Sequence, residues 1–448
     1  MASAGGPPEP GAAPLRAPIE GRLADAGLPP LPRTAWLELD VDALRGNLEV
    51  LREAAGDGVR VEPVVKADAY GHGSVPIALA LEAAGADGLS VATLDEAVEL
   101  RDAGVSLPLL VLYPIPPEQV EAAAWAHIAV SLGPGRLLER TLAAASHAAG
   151  TGAPELAVHL EIETGLGRGG VLPADVAAAV RQIDAEHAVR LAGAWTHLAA
   201  ADDDVSAGAQ DRRFAGALDA LGAAVVDAAS VRLHLAGSGG LLGDAVGRYD
   251  AVRTGIATYG LVPDGLVPPP AMTGAAARLR PVLALYARPV RVATMPAGHG
   301  VSYGPAFVTD RPSSIATLPL GYGDGWRRTW SGQTHALVRG IRVPVVGRVA
   351  MDGIMADVTD VPGPPVTEDD EFVLIGAQGD EAITALDLAA TGGTISYEVV
   401  TGMSRRLPRV YHAAGSPVGV RYLAGGRSEW RASSSGTGTS ATSRSTPS

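Results

Sequence analysis

VEPVVKADAYGHGSVPIALALEAA, Val61–Ala84, reads as one strand–loop–helix unit. Val61–Val65 is short and valine-rich, which predicts a buried strand. Ser74–Ala84 is rich in Ala and Leu, which predicts a helix. Between them lie Lys66, Tyr70 and two glycines flanking His72. An amine at the end of a buried strand is costly to keep charged, so burial pushes its pKa down. A lysine that can lose its proton suits Schiff-base chemistry with a carbonyl cofactor. Alone, VVK would read as a solvated turn; the rest of the chain decides otherwise.

The same unit recurs. Strands are expected at Val61–Val65, Gly88–Val91, Leu109–Leu112, Ala129–Leu132, Ala157–Glu163, Leu191–Trp195, Val231–Leu235 and Ala251–Thr254. Helical stretches such as Ser74–Ala84 and Leu94–Ala103 lie between them. Repeated βα units imply a parallel sheet, and about eight of them match a closed (β/α)8 TIM barrel. An open doubly wound sheet is the alternative, but no G-x-G-x-x-G opens the first βα turn.

After Pro281 the texture changes to β-rich runs with Gly/Pro turns and little helix: Leu283–Ala293, Ser314–Pro319, Thr334–Val346, Ile354–Val358 and Glu371–Ile375. The expected organisation is an α/β chain: a disordered leader over 1–33, a barrel over 34–270, a mostly β C-terminal domain over 271–424, and a disordered tail over 425–448.

Composition narrows the function. With 448 residues, 47% hydrophobic and 56 Gly, the chain can build two cores. The formal charge of −14 argues against nucleic-acid and anionic-membrane partners. The absence of Cys excludes disulfides, thiolate nucleophiles and Cys-ligated zinc, and no metal site is expected. No apolar run approaches a membrane span, and MASAGGPPEPGAAPLR has no signal-like apolar core. A soluble, cytoplasmic protein is the expectation.

In a barrel, functional residues sit at the C-terminal strand ends. Lys66, His197, Ser238, Arg253, Gly255 and Ile256 fall there. LAGSGG and RTGIATYG are small-residue loops after the last two strands, where phosphate groups commonly bind. A lysine on the same rim makes pyridoxal 5′-phosphate (PLP) the expected owner of that phosphate. In HLEIETGLGRGG (His159–Gly170), alternation puts His159, Glu161 and Glu163 on one strand face. A buried carboxylate there needs a partner, and Arg168 is near in sequence. Glu161 is read as fixing the loop and positioning Arg168 toward a ligand.

From Trp36 to Tyr411 the chain resembles the bacterial alanine racemase family. The resemblance rests on VVKADAYGHG, ETGLGRGG, WTHLAAAD, VRTGIATYG, GVSYG, GYGDGW, GRVAMD and SYEVVTGMSRRLPRVY, in that order. It implies a PLP-dependent isomerase acting on a small amino acid, alanine preferred, as a homodimer with shared active sites. It implies that Lys66 forms the Schiff base and serves as one base, with Tyr303 from the partner subunit as the opposite base. It assigns Arg168 to the cofactor oxygen and substrate carboxylate, His197 to the ring's flank, and Arg253 to the pyridine nitrogen. Tyr70, Ser238, Gly255, Ile256 and Tyr397 would hold the phosphate. Met351 and Tyr322 would line the substrate entrance from the partner, supported by Asp352. Two opposed bases are what racemisation needs. Arginine stays protonated and so leaves the ring nitrogen without a proton.

Several positions depart from the family pattern. Glu161 stands where many members carry a carbamylated lysine, and would supply the negative charge without modification. Asp68 and Gly237 replace Asn, Thr254 replaces Pro, Ala350 replaces Cys, and Leu166 replaces Met. Two other readings are open: the same fold and cofactor acting on serine or a larger amino acid, by racemisation or hydroxymethyl transfer, and a non-catalytic PLP-binding protein. The carrier reading is opposed by GVSYG and the full C-terminal domain.

Overall fold

The computed structural model describes residues 16–224 and 230–423, and the backbone of 428–430. Strand β1 (Ala35–Asp40) comes first. Then follow eight strands: β2 (Arg60–Val61), β3 (Leu89–Val91), β4 (Leu109–Val111), β5 (Ile128–Leu132), β6 (Leu156–Glu161), β7 (Val189–Trp195), β8 (Arg232–Gly237) and β9 (Ala251–Arg253).

Strands β2 to β9 form one parallel sheet in the order β2-β9-β8-β7-β6-β5-β4-β3. A parallel bridge between Val64 and Ser90 joins its two ends and closes a (β/α)8 barrel. The closing bonds are Ser90 N to Pro63 O at 2.9 Å and Val65 N to Ser90 O at 2.8 Å. Each strand stands within a few residues of its expected place. The first is shortest because Pro63 has no N–H to give a ladder. The strands bury apolar residues such as Val91, Val111, Val130, Val158, Leu160 and Ala194, as parallel strands covered by helices must, while His159, Glu161, His234 and Arg253 are buried polar exceptions.

The second sheet is mostly antiparallel and contains Leu283–Ala287, Arg291–Met295, Ser313–Leu318, His335–Val338, Ile341–Val346, Ile354–Asp357, Phe372–Gln378, Arg409–Ala413 and Ser416–Arg421. It also contains β1, which pairs antiparallel with Leu283–Ala287 and parallel with Arg409–Ala413. The chain therefore starts in the sheet that it later completes, and β1 is not a barrel strand. Two helices, Ala385–Gly392 and Ser396–Thr401, were not expected from the sequence. The first opens on a capping box between Thr384 and Asp387.

Residues 16–33 correct the disordered leader. Ile19–Asp25 is a helix whose Ile19 and Leu23, one turn apart, bury with Leu28 against Trp36, Val410 and Val420. Arg16 and Arg22 both reach the buried Glu38. An average over an Ala/Gly/Pro-rich stretch hides this i,i+4 apolar pair. Residues 1–15 and most of the expected tail lie outside the described residues; Ser428–Trp430 pairs as a short strand on Ser416–Arg421. The connection after the barrel includes a helix, Pro270–Arg278, packed near Val41–Ala55. Among the described residues, no helix is long and apolar enough to cross a membrane.

Candidate active site

A cavity of about 770 Å³ opens at the C-terminal end of the barrel, under Ile395, Tyr397, Glu398 and Thr401 of the β-rich part. Lys66, Tyr70, Arg168, His197, Ser238, Arg253, Gly255, Ile256 and Tyr397 all line it. Of the expected site, Glu161, Tyr303, Tyr322, Met351 and Asp352 do not.

Lys66 is the only lysine in the 448 residues; every other member of the 35 Lys+Arg is arginine. That count, more than any motif, could have singled it out at once. Burial depresses its amine pKa, and the nearby Arg168 and Arg253 guanidinia push it the same way, opposed by Glu96.

The chain then makes a left-handed turn: Ala67, Asp68, Ala69 and Tyr70 all have φ of 53–56°. Such a conformation costs an L-residue roughly 1–2 kcal/mol. It swings Tyr70 back over the site, where its ring packs 5.1 Å from Tyr259 and 6.2 Å from Tyr397. A Cβ on Gly255 would lie 2.5 Å from the Tyr70 hydroxyl, so only glycine lets that hydroxyl reach the loop.

Ser238 Oγ accepts N–H bonds from Gly255 (2.9 Å) and Ala257 (3.2 Å), tying the loops after β8 and β9 together. These are the seventh and eighth barrel strands, whose loops suit a phosphate. A Cβ on Gly239 would meet Ala201 at 2.6 Å, so this cradle is built for small residues. Asp264 accepts from the N–H (3.0 Å) and hydroxyl (2.6 Å) of Ser396 and so anchors the helix that carries Tyr397. Burial and then Asp264 push the Tyr397 hydroxyl up to about 12, so it stays protonated and can donate.

Arg253 is fully enclosed at the cavity floor. It donates to the carbonyls of Thr196 (2.8 Å) and His234 (3.0 Å), lies 4.7 Å over the Trp195 ring, and touches His234 Nδ1. His234 Nε2 in turn lies 2.7 Å from His159 Nδ1. Arginine only donates, so His234 accepts on Nδ1 and passes its Nε2 proton toward His159. Both imidazoles are thereby neutral. Three strands, β6, β8 and β9, meet in this chain of bonds, and the sequence reading missed it. Burial pulls Arg253 down to about 10, which still leaves it charged at neutral pH.

Arg168 lies 3.5 Å from Glu161 and 5.3 Å from the Tyr113 ring centroid. The Glu161–Arg168 pair read from the sequence therefore exists. Burial raises the Glu161 carboxyl above its usual range, with Arg168 opposing. Tyr303, Tyr322 and Met351 lie outward on the β-rich part, 67%, 42% and 51% exposed. Bonds from Tyr322 N to Ala350 O (3.0 Å) and Gly323 N to Met351 O (2.9 Å) zip two loops and bring Tyr322 and Met351 near each other. Asp352 pairs with Arg406 at 2.6 Å.

Among the described residues no cluster of His, Cys, Asp or Glu could hold a metal ion. What converges is a half-buried amine, an enclosed arginine and a small-residue cradle under two tyrosine hydroxyls. These groups fit PLP: one carbonyl, one ring nitrogen and one phosphate.

The enclosed imidazoles also set an acid limit. Burial depresses His72 to about 4 and His159 to about 3. Between pH 6.5 and those values the unfolded chain binds protons that the folded chain refuses, so stability is lost as pH falls through that window. Each imidazole contributes a slope of up to about 1.4 kcal/mol per pH unit. Urea midpoints measured from pH 7 to pH 4.5 should fall steadily; a flat profile would contradict neutral buried imidazoles.

Residues 39–263 match the alanine racemase N-terminal domain family and residues 282–411 match its C-terminal domain family. An alanine racemase of Symbiobacterium thermophilum is 42% identical over 381 residues, covering 85% of this chain and 97% of that protein. One of Thermobifida fusca is 40% identical, covering 85% and 98%. Among solved structures, an alanine racemase of Bacillus anthracis superposes with a TM-score of 0.79 at 33% identity, covering 88% of this chain and 99% of the other. That of a D-cycloserine-producing Streptomyces lavendulae gives 0.77 at 37% identity, covering 86% and 98%.

Proposed function

The chain belongs to the alanine racemase family of PLP-dependent isomerases, and from that premise we propose that it interconverts L-alanine and D-alanine with Lys66 and Tyr303 as opposed bases. The observation that carries the reading is the placement of the chain's only lysine, half-buried and with a depressed pKa, in the cavity that Ser238, Gly255 and Ile256 also line.

Bound PLP withdraws electrons from the substrate α-carbon and so acidifies its proton. The protein must then hold the substrate and move that proton. Lys66 would bond the cofactor and, when free, is pushed by burial toward the neutral amine that can accept a proton. Tyr70, Ser238, Gly255, Ile256 and Tyr397, which line the cavity, would hold the phosphate. Arg253 would stand at the ring nitrogen as a cation with no capacity to accept a proton from it. His197 would flank the ring, where the nearby Arg253, Arg168 and Lys66 disfavour its charged form.

Arg168 binds the substrate carboxylate, and Glu161 holds Arg168 in place. Glu161→Gln keeps the shape but removes the charge, so kcat/KM for alanine should fall about tenfold, or about 1.4 kcal/mol. Steady-state kinetics decide this; unchanged substrate affinity and turnover would leave Glu161 no role in orienting Arg168.

The functional species in this reading is a homodimer. Tyr303, Tyr322 and Met351 stay outside their own chain's cavity and are exposed. A second copy would bring them to the mouth of the site, with Asp352 fixing their loop through Arg406. We place the reaction in the cytoplasm. The deciding experiment is incubation of the PLP-loaded protein with L-alanine, followed by chiral chromatography. Approach to an equal mixture of enantiomers supports alanine racemisation. PLP binding with no D-alanine would move the activity to serine or a larger amino acid.

A further inference from the structure

We propose that Asp68 is a positioning residue: it ties the left-handed turn between Lys66 and Tyr70 to three arginines of the β-rich sheet region, and so holds both residues at the cofactor site. The inference rests on Lys66 and Tyr70 holding PLP.

The turn needs an external hold. Ala67 and Ala69 have no side-chain group with which to stabilise a left-handed conformation. Four successive residues of that kind persist only where the surroundings over-determine them. Here the surroundings come from the other sheet. Arg409 donates twice to the carbonyl of Gly71, at 3.0 and 2.8 Å. Tyr411 donates to the carbonyl of His72 at 3.0 Å. Any side chain on Gly71 would collide with the Val400 carbonyl.

Asp68 is the one member of the turn that answers with charge. Its Oδ1 accepts from Ser74 N (2.9 Å) and from Arg421 Nη1 (2.6 Å). Its Oδ2 is buried and has no hydrogen-bond partner among the described residues. That oxygen instead faces Arg405 Nε at 3.8 Å and Arg409 Nη2 at 3.9 Å. Burial opposes ionisation of this carboxyl, but Arg421 and Arg409 outweigh it and hold it below its usual range. A neutral amide could keep the bond from Ser74 but would leave Arg409 and Arg421 without the carboxylate they face, while Arg405 would keep Glu99 at 3.4 Å. The charge of Asp68 therefore links the two parts of the protein at the residues flanking the cofactor lysine.

The test uses Asp68→Asn, Arg421→Met and the double variant, each stripped of cofactor and titrated with PLP by visible absorbance, with far-UV circular dichroism as a fold control. Asp68→Asn and Arg421→Met should each bind PLP at least about tenfold more weakly with unchanged circular dichroism. The double variant should bind within twofold of the weaker single one, because both remove the same link. Unchanged PLP affinity, a drop in melting temperature alone, or additive losses would overturn the proposal. Should Asp68→Asn not fold, Arg421→Met decides alone by the same criterion. Lys66→Ala is the control for the underlying reading. If it still forms the borohydride-sensitive absorbance band, that reading fails; if it loses the band while Asp68→Asn binds normally, only the positioning role fails.

Discussion

Lys66→Ala should lower alanine racemisation by at least about 10³-fold and remove the cofactor's borohydride-sensitive band. The size of the effect follows from the chain's composition. In a lysine-rich protein a neighbouring amine could partly stand in; here no second lysine exists. Lys66→Arg should fail equally, since a guanidinium keeps the charge but stays protonated at any working pH. The phosphate cradle contains no atom of Lys66, so both variants should still bind PLP, weakly and without the covalent band. Mass mapping after borohydride treatment offers a second check. Native protein should carry the cofactor on a single peptide containing Lys66, and the variants on none. Turnover of Lys66→Ala within tenfold of native would remove Lys66 from the chemistry. Partial recovery with added methylamine would support it, because the small amine restores the missing group and nothing else.

The barrel was legible because parallel strands covered on both faces write themselves as short apolar runs between helices. Strand β1 was not. AWLELD followed by the helix Val41–Ala55 looks like one more βα unit, and only its partners, Leu283–Ala287 and Arg409–Ala413, place it in the other sheet. Those partners are hundreds of residues away, so no local pattern reports them. The helix Ile19–Asp25 was hidden differently: two well-placed apolar residues and two arginines sufficed to order a segment whose composition resembles a linker.

In the site, the groups at strand ends were legible because a barrel fixes which end is functional. The bonds behind them were not. His159, His234 and Arg253 meet only when β6, β8 and β9 lie together. The left-handed turn after Lys66 runs against the preference of Ala67 and Ala69, and it is decided by Arg409, Tyr411 and Arg421 from the other sheet. Local preference lost there to tertiary contact, at the place where the proposed chemistry is most exacting.

Tyr303→Phe should lower racemisation at least about 10²-fold in both directions while leaving PLP binding intact. Tyr303 sits at a hairpin tip between the strands Gly300–Val301 and Phe307–Val308. Ser302, with φ of 66°, bonds its hydroxyl to the Arg348 carbonyl at 2.6 Å, and Gly304 turns at φ of 52°. The tip is thus braced, yet the tyrosine does not line its own chain's cavity and is 67% exposed. A cavity served only by its own chain holds one base, Lys66, and one base can exchange an α-proton on one face without inverting the centre. Loss of the second base should therefore split two rates that are normally tied together. In D2O, Tyr303→Phe should still exchange the α-proton of one alanine enantiomer, the one whose proton faces Lys66, while exchange of the other collapses along with inversion. Proton NMR separates exchange from inversion in a single time course. If both enantiomers lose exchange equally, Tyr303 acts on something common to both faces, such as cofactor placement. If neither does and inversion continues, the second base is another group. Because the hydroxyl would come from a second copy, native activity per chain should also fall on dilution through the dimer's dissociation range. A mixture of inactive Tyr303→Phe and inactive Lys66→Ala chains should recover part of it, since one of the two sites in a mixed dimer would then combine an intact Lys66 with an intact Tyr303.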